Sequence, residues 1–430
     1  MTDHHDLKVQ IRERMASEKE TYTEARRHIL GSRSEDNQLD SFILGKEQST
    51  PGADLVVVGS PKPSLVFYPN LSHSRNPTLI LASPEVFQAV YPLRAGMGPV
   101  FVYDPYGALP EGDATNGYSN LTFSPLTDCF REETVNGQKH ASFDECWKSA
   151  SWLSEGITSM GGGTQDWEYW ASSSRQLLTP LFYAAALTGK GMTDVIGWVH
   201  SQDLSGVLAL LKEFSYTSEE ERDDINRAFE HAKGIDDRPD KERGTVFSTT
   251  GTLLGFLSLG SVRRTLAKTN FAIDDLLVSG ATTFLIQTTK WDRYLNQVIV
   301  PLINHITYSF IGQKGLQVKE GQAPLRIFLL TQDSLPLGLV FGIMGTPRKA
   351  LRVFLQLEDM GSLAEGGKSK ILRQLLQQHE VLLLPGSITT DSLAEVLSAL
   401  PLDRLPKISP AEYSDYLIPL EGHPKPITFD

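Results

Sequence analysis

The sequence predicts an α/β fold: a mostly parallel sheet flanked by helices, with an all-helical segment inserted into it. Three observations carry this. Seven short apolar runs are near-continuous rather than alternating, the pattern of strands buried on both faces. Helical patterns separate the later runs, so strand and helix alternate as in βαβ units. Between the early and late runs, residues 140–245 keep helical apolar spacing throughout, with no strand-like run.

Taken in order, residues 7–30 read as one amphipathic helix, with Leu7, Ile11, Met15, Tyr22 and Ile29 on one face and Gly31 as a stop. With the start of the polar stretch "SRSEDNQLDSF" behind it, this gives a docking arm over residues 1–32 and then a linker. The early strands are "LVVVG" (55–59), "PTLILAS" (77–83) and "PVFVYDP" (99–105). The late ones are "TTFLIQT" (282–288), "LRIFLLTQD" (325–333), "ALRVFLQLED" (350–359) and "EVLLLPGS" (380–387), with helices over 291–313, 362–379 and 390–400. The predicted organisation is the arm, a sheet domain made of 33–139 and 246–430, and the helical insertion 140–245.

Length and composition set the outer limits. The chain has 430 residues, 40% hydrophobic and 21% charged, enough for two or three domains with substantial cores. Forty Lys and Arg against 52 Asp and Glu give a net charge of −12, so any DNA contact must come from a local patch or a partner. Two cysteines, Cys129 and Cys146, are too few for a disulfide framework or a zinc site, and point to a reducing compartment. No run of 18 apolar residues predicts a membrane span, and the polar start lacks a signal-peptide core, so a cytoplasmic location is expected.

The first strand runs into "GSPKPS", where a phosphate-binding loop would sit. Such a loop needs glycines to turn backbone N–H groups toward phosphate, a Lys for the β/γ-phosphates and a hydroxyl for Mg²⁺. Gly59, Ser60, Lys62 and Ser64 supply some of these groups, but the G-K-[ST] core is missing and Pro61 and Pro63 each remove a donor. Without further context the segment reads as a strand-to-helix turn. The strand "IFLLTQD" ends on Thr331, Gln332 and Asp333, where an ATPase carries an Asp-Glu pair on Mg²⁺ and the attacking water. Gln cannot act as a general base. Gln356 in "FLQLED" and Asp104 in "VYDPYG" stand at carboxyl ends of buried strands, where ligands bind in such sheets, and Asp104 equally suits a turn. Trp147, Trp167, Tyr169 and Trp170 read as helical core rather than a base-stacking platform.

The order of segments is more specific than any one of them. "YPNL" (68–71), "YDPYG" (103–107), "FSPL" (123–126), "YWASSSRQLLTPLFYAAAL" (169–187), "MTDVIGWV" (192–199), "RGTVFSTT" (243–250), "IDDLL" (273–277), "LQLEDMGSL" (355–363) and "LLLPGS" (382–387) follow one another as in one family. The chain resembles the cytosolic part of the coupling proteins of conjugative type IV secretion, the TraG/TraD-like branch of the FtsK/HerA motor ATPases, and most of all their actinobacterial-type members. The resemblance covers residues 50–430 and implies a RecA-like P-loop NTPase fold, ATP and Mg²⁺ as cofactors, a homo- or hetero-oligomeric ring, and conjugation or type IV secretion components as partners, an active coupling ATPase among them. It also implies a sensor role for Gln356 and recruitment to the membrane by a secretion partner. The departures are a phosphate loop about three residues short and Thr331-Gln332 in place of Asp-Glu, which together imply a degenerate Walker motif and a chain that does not hydrolyse ATP. The rival reading is an active DNA-translocating motor with Lys62 and Ser64 on the phosphates. Local cationic patches are Arg263, Arg264 and Lys268 in "SVRRTLAKT", and Arg348, Lys349 and Arg352 in "TPRKALR", as DNA or subunit contacts. They predict weak, salt-sensitive DNA binding.

Overall fold

Each of the seven apolar runs forms a strand. The computed structural model describes residues 42–44, 47–49, 53–59, 63–72, 74–109, 117–132, 139–155, 167–287, 292–314, 323–330, 343–344, 350–357, 368–385, 390–401, 403, 415–419 and 423–427. Ser60, Lys62, Thr331, Gln332, Asp333, Arg348, Lys349 and the expected arm 1–32 lie outside the described residues, as does the side chain of Ser64.

A short antiparallel pair, β1 (Ile43–Leu44) and β2 (Glu47–Gln48), comes first. Then follow β3 (Leu55–Val58), α1 (Pro63–Ser72), β4 (Thr78–Ala82), α2 (Pro84–Ala95), β5 (Val100–Tyr103) and β6 (Ser119–Asn120). A second small pair, β7 (Phe130–Glu132) and β8 (Lys139–Ala141), leads into the helices α3 (Phe143–Glu155), α4 (Trp167–Thr188), α5 (Met192–Ser201), α6 (Ser205–Glu213), α7 (Glu219–Asp236), α8 (Asp240–Leu253), α9 (Gly260–Thr265) and α10 (Ile273–Leu276). The chain returns to the sheet with β9 (Thr282–Ile286), α11 (Asp292–Lys314), β10 (Leu325–Leu329), β11 (Leu351–Leu357), α12 (Lys368–Gln378), β12 (Glu380–Leu383), α13 (Thr390–Ala399), β13 (Asp415–Ile418) and β14 (Lys425–Ile427). Among the described residues no strand lies between Ala141 and Thr282, and α8 runs across position 245.

The main sheet has ten strands in the order β14-β13-β12-β3-β11-β10-β4-β9-β5-β6. Every pairing from β12 to β6 is parallel, and β13 and β14 add an antiparallel edge beyond β12. Residues of one strand alternate between two cores, as the period of two requires. Leu55, Val57, Ile80, Phe328, Phe354 and Leu382 face the layer holding Leu71 of α1 and Phe87 and Val90 of α2. Val56, Val58, Leu79, Leu81, Leu355 and Leu383 face the other way, into a cluster continuous with α3 to α8 and α11. The helical stretch therefore shares its core with one sheet face.

Local chemistry sets the helix starts. The Ser83 hydroxyl accepts the Val86 N–H at 3.3 Å ahead of Pro84, and the Ser218 hydroxyl accepts the Glu221 N–H at 3.1 Å above three glutamates in the first turn of α7. At the start of α5, where Gly191 has no side chain to cap with, the Asp194 carboxylate accepts the Gly191 N–H at 3.0 Å.

At the amino edge of the sheet, Arg94 is fully buried at the end of α2. Its guanidinium donates to the carbonyls of Leu71 (2.8 Å) and Ser74 (2.6 Å) and to the hydroxyls of Thr282 (2.7 Å) and Thr78 (3.2 Å). Burial draws its pKa down to about 10, which leaves it charged at neutral pH. Beside it the chain passes itself closely: Gly280 has φ +81°, and a Cβ there would stand 2.3 Å from the Met97 carbonyl oxygen. Three strands from β4 along the same edge, Asp54 precedes β3 and accepts the Val353 N–H at 2.8 Å, with His379 Nδ1 at 4.0 Å. Burial pushes the Asp54 carboxyl up to about 7, against the lowering pull of that N–H and of the Arg352 charge.

Two stability tests follow from this edge. Arg94→Met strands several buried carbonyls and hydroxyls without a donor and should cost about 3 kcal/mol or more in denaturant unfolding, with Arg94→Lys intermediate. For Asp54, the folded protein holds a proton between pH 4 and 7 that the unfolded chain has released. Stability therefore falls as pH rises through that window and levels off above it. Asp54→Asn keeps the acceptor oxygen and removes the charge. It should flatten the dependence and exceed the parent by ~2 kcal/mol at pH 8, read from unfolding midpoints across pH 4–8.

Candidate functional site

The carboxyl ends of β3, β11 and β12 are level, because Val58 pairs with Leu357 and with Leu383. Gly59 continues the ladder by donating its N–H to the Leu357 carbonyl at 2.8 Å, and the Leu384 N–H donates to the Val58 carbonyl at 3.0 Å. Gly59 is buried with φ +117°, a region open to glycine and strained for other residues. Helix α1 begins at Pro63, so the connection from strand to helix spans only residues 59–62.

A loop that wraps a phosphate uses backbone N–H groups turned inward. In this connection the Gly59 N–H is engaged by Leu357 and Pro61 has none, nor does Pro63 at the start of α1. The Gly59 N–H is thus committed to the sheet rather than turned toward a phosphate. Among the described residues no group of three or more His, Cys, Asp or Glu side chains could hold a metal ion.

Gln356 is level with Val57 of β3 and is 6% exposed. Its strand lies between β3 and β10. Leu329 pairs with Leu355, so Leu330 follows at the level of Gln356, while Thr331, Gln332 and Asp333 lie outside the described residues. The fold thus brings Gly59 and Gln356 to one edge.

Asp104 is elsewhere. It follows β5, five strands from β3, which at the usual strand spacing of about 4.8 Å is about 24 Å away. Its two carboxylate oxygens accept the N–H groups of Ala108 (3.0 Å) and Leu109 (2.8 Å), which closes the turn through Gly107. This is the turn chemistry of an Asp at a strand end rather than a ligand contact.

Of the cationic candidates, Arg263, Arg264 and Lys268 are exposed, on α9 and the segment after it. Six hydrogen bonds pin that segment to residues 120–124. Among them, the Thr122 hydroxyl donates to the Lys268 carbonyl at 2.6 Å, the Phe123 N–H to the Thr265 carbonyl at 2.7 Å, and the Asn270 amide to the Asn120 carbonyl at 2.9 Å. Arg352 is a correction. It is 4% exposed within β11, beside the equally buried Arg326 of β10, and gives a guanidinium N–H to the Leu351 carbonyl at 2.7 Å. It belongs to the buried amino edge and presents no charge to DNA. Tyr169 departs from the expected core role as well: it is 60% exposed in the first turn of α4, edge-on to Trp170 at 5.0 Å.

One cleft was not foreseen. Arg264 and Asp104 line the same depression, about 270 Å³, at the carboxyl ends of β5 and β6, together with Tyr118, Asn120 and Ser261. No signal in the chain pointed to it, because its two walls come from segments about 140 residues apart.

If the Gly59 backbone conformation anchors this edge, Gly59→Ala should destabilise the protein by about 1–3 kcal/mol, measured as a lowered unfolding midpoint. A change within experimental error would mean that the turn relaxes without cost.

No protein-family model matches the sequence. No curated protein matches it. Solved structures do. The unbound form of the bacterial conjugative coupling protein TrwB, in a truncated form, aligns with TM-score 0.55 at 14% identity over 91% of this chain and 89% of that one. TrwB with ADP and Mg²⁺ aligns with TM-score 0.52 at 15% identity over 89% and 87%. TrwB with a non-hydrolysable GTP analogue aligns with TM-score 0.55 at 14% identity. Across nearly its whole length, then, this chain has the RecA-like fold of a conjugative coupling protein.

Proposed function

We propose that this chain acts in conjugative DNA transfer as a coupling-protein homologue that has lost ATP hydrolysis, serving the transfer apparatus as a scaffold or regulatory subunit. One observation carries the loss of hydrolysis. The β3–α1 connection is four residues long, its first N–H is engaged by Leu357, and Pro61 within it and Pro63 at the start of α1 supply none. Transition-state charge on a transferring phosphoryl group is stabilised by such donors, by a lysine and by a metal-bound carboxylate. The replacement of Asp-Glu by Thr331-Gln332 removes the last of these.

The transfer role is supported by the fold shared with TrwB over nine-tenths of the chain. In this reading the protein joins a ring with copies of itself or with an active coupling ATPase, and other conjugation components recruit it. The exposed Arg263, Arg264 and Lys268 offer weak, salt-sensitive contacts to DNA or to a neighbouring subunit. No helix among the described residues is long and apolar enough to cross a membrane, so membrane recruitment in this reading falls to a partner.

A second reading has one observation in its favour: Gln356 stands between β3 and β10, where a sensor residue of an active motor would stand. Steady-state phosphate release with ATP, Mg²⁺ and DNA separates the two. The scaffold reading expects turnover at background and no change on Lys62→Ala. Robust turnover abolished by Lys62→Ala would replace it with a motor using an unconventional loop.

A further inference from the structure

We propose that the cleft at the carboxyl ends of β5 and β6 binds an organic phosphate, with Arg264 on the phosphate and the carbon body on the apolar lining. Val102, Leu109, Leu121 and Tyr118 give the cleft its apolar lining. Arg264, Ser261 and Asn120 line it too, and none of their side chains donates to another described residue. A depression that combines apolar lining with a few unengaged donors is the usual composition of a small-molecule site.

Charge decides the class of ligand. The cleft holds one cation and one carboxylate, yet the two are not paired. Asp104 is satisfied by the Ala108 and Leu109 N–H groups, whereas Arg264 has no carboxylate within 4.0 Å among the described residues. Arg263 and Lys268 add positive potential close by in the chain. A guanidinium with a hydroxyl and an amide beside it suits the several acceptor oxygens of a phosphate ester.

The geometry is held in advance. The Thr265 hydroxyl is engaged by the Val262 carbonyl and the Thr122 hydroxyl by the Lys268 carbonyl, and the hydrogen bonds between residues 120–124 and 265–270 fix the two walls relative to each other. The position obeys the general rule that ligands of open α/β sheets sit beyond the carboxyl ends of strands. It lies five strands from the Gly59 edge, so it stands or falls separately from any nucleotide site there.

A phosphate ester reaches such a cleft either as a free nucleotide or as part of a nucleic-acid strand, and the test has an arm for each. Adenosine 5′-monophosphate is titrated calorimetrically into the full chain, and a labelled oligothymidylate of about 12 nucleotides is followed by anisotropy at low salt. Saturable binding should weaken at least tenfold in Arg264→Gln and about threefold in Ser261→Ala, and stay unchanged in Lys62→Ala. Both substituted residues are at the surface, and unchanged thermal unfolding confirms that the variants fold. That pattern with the mononucleotide identifies a free nucleotide as the source, and with the oligonucleotide alone a strand. Absence of saturable binding to either probe overturns the proposal, as does binding that Arg264→Gln leaves intact. Binding lost in Lys62→Ala but kept in Arg264→Gln overturns it too, and speaks instead for a working site at the Gly59 edge.

Discussion

The sheet of this protein is interrupted by a long helical excursion, and the chain must return to it in register. The Arg94 guanidinium is the interaction on which that return depends. It binds Thr282, 188 residues away at the start of the returning strand, and in the same grip carbonyls in the last turn of α1 and just after it, and the first hydroxyl of β4. A buried guanidinium without its carbonyls, or carbonyls without their guanidinium, would carry a large desolvation cost. The arrangement is therefore close to all-or-none, which sets β9 between β4 and β5. The close pass of Gly280 over Met97 beside it admits no side chain.

With the amino edge held in this way, the parallel ladder carries alignment to the other edge. Val58, Leu357 and Leu383 finish level, so whatever chemistry the crevice supports is assembled from the residues just beyond them. The same ladder also consumes chemistry there. By donating to Leu357, Gly59 extends the sheet by one residue and removes the first donor that a phosphate loop would offer. Stability of the sheet end and competence of the loop compete for one N–H group, and in this chain the sheet has it.

Electrostatics follow a similar division. A net charge of −12 gives no global attraction for nucleic acid. Much of the visible charge is neutralised locally on the helical stretch, as in the Arg227 pairs with exposed Asp144 (2.7 Å), a contact of modest worth, and with buried Asp224 (3.3 Å). Arg264 and Lys268, in contrast, have no carboxylate partner among the described residues and lie on a segment held rigid by its hydrogen bonds to residues 120–124. A local cationic strip with fixed geometry is thus present on an acidic protein.

The apolar runs by themselves determined the strands, and the helical spacing determined the helices, because burial on both faces of a parallel strand leaves a continuous hydrophobic signature. Leu55–Val58, Thr78–Ala82 and Leu351–Leu357 were legible for that reason, as was the helical character up to residue 245, though the strand-free stretch runs on to Thr282. The short pairs β1–β2 and β7–β8 and the antiparallel edge β13–β14 were not, since two to four residues give no periodicity. At the site, the two prolines and the missing G-K-[ST] core were visible in the chain, and so was Gln356. That Arg352 is buried was not, because a cation in a strand reads the same on either side of the sheet surface. Only the tertiary structure decided the strand order, the distance of Asp104 from Gly59, and the meeting of Arg264 with Asn120 in one cleft. These are pairings between distant segments, and their energies depend on which surfaces come together rather than on any local pattern.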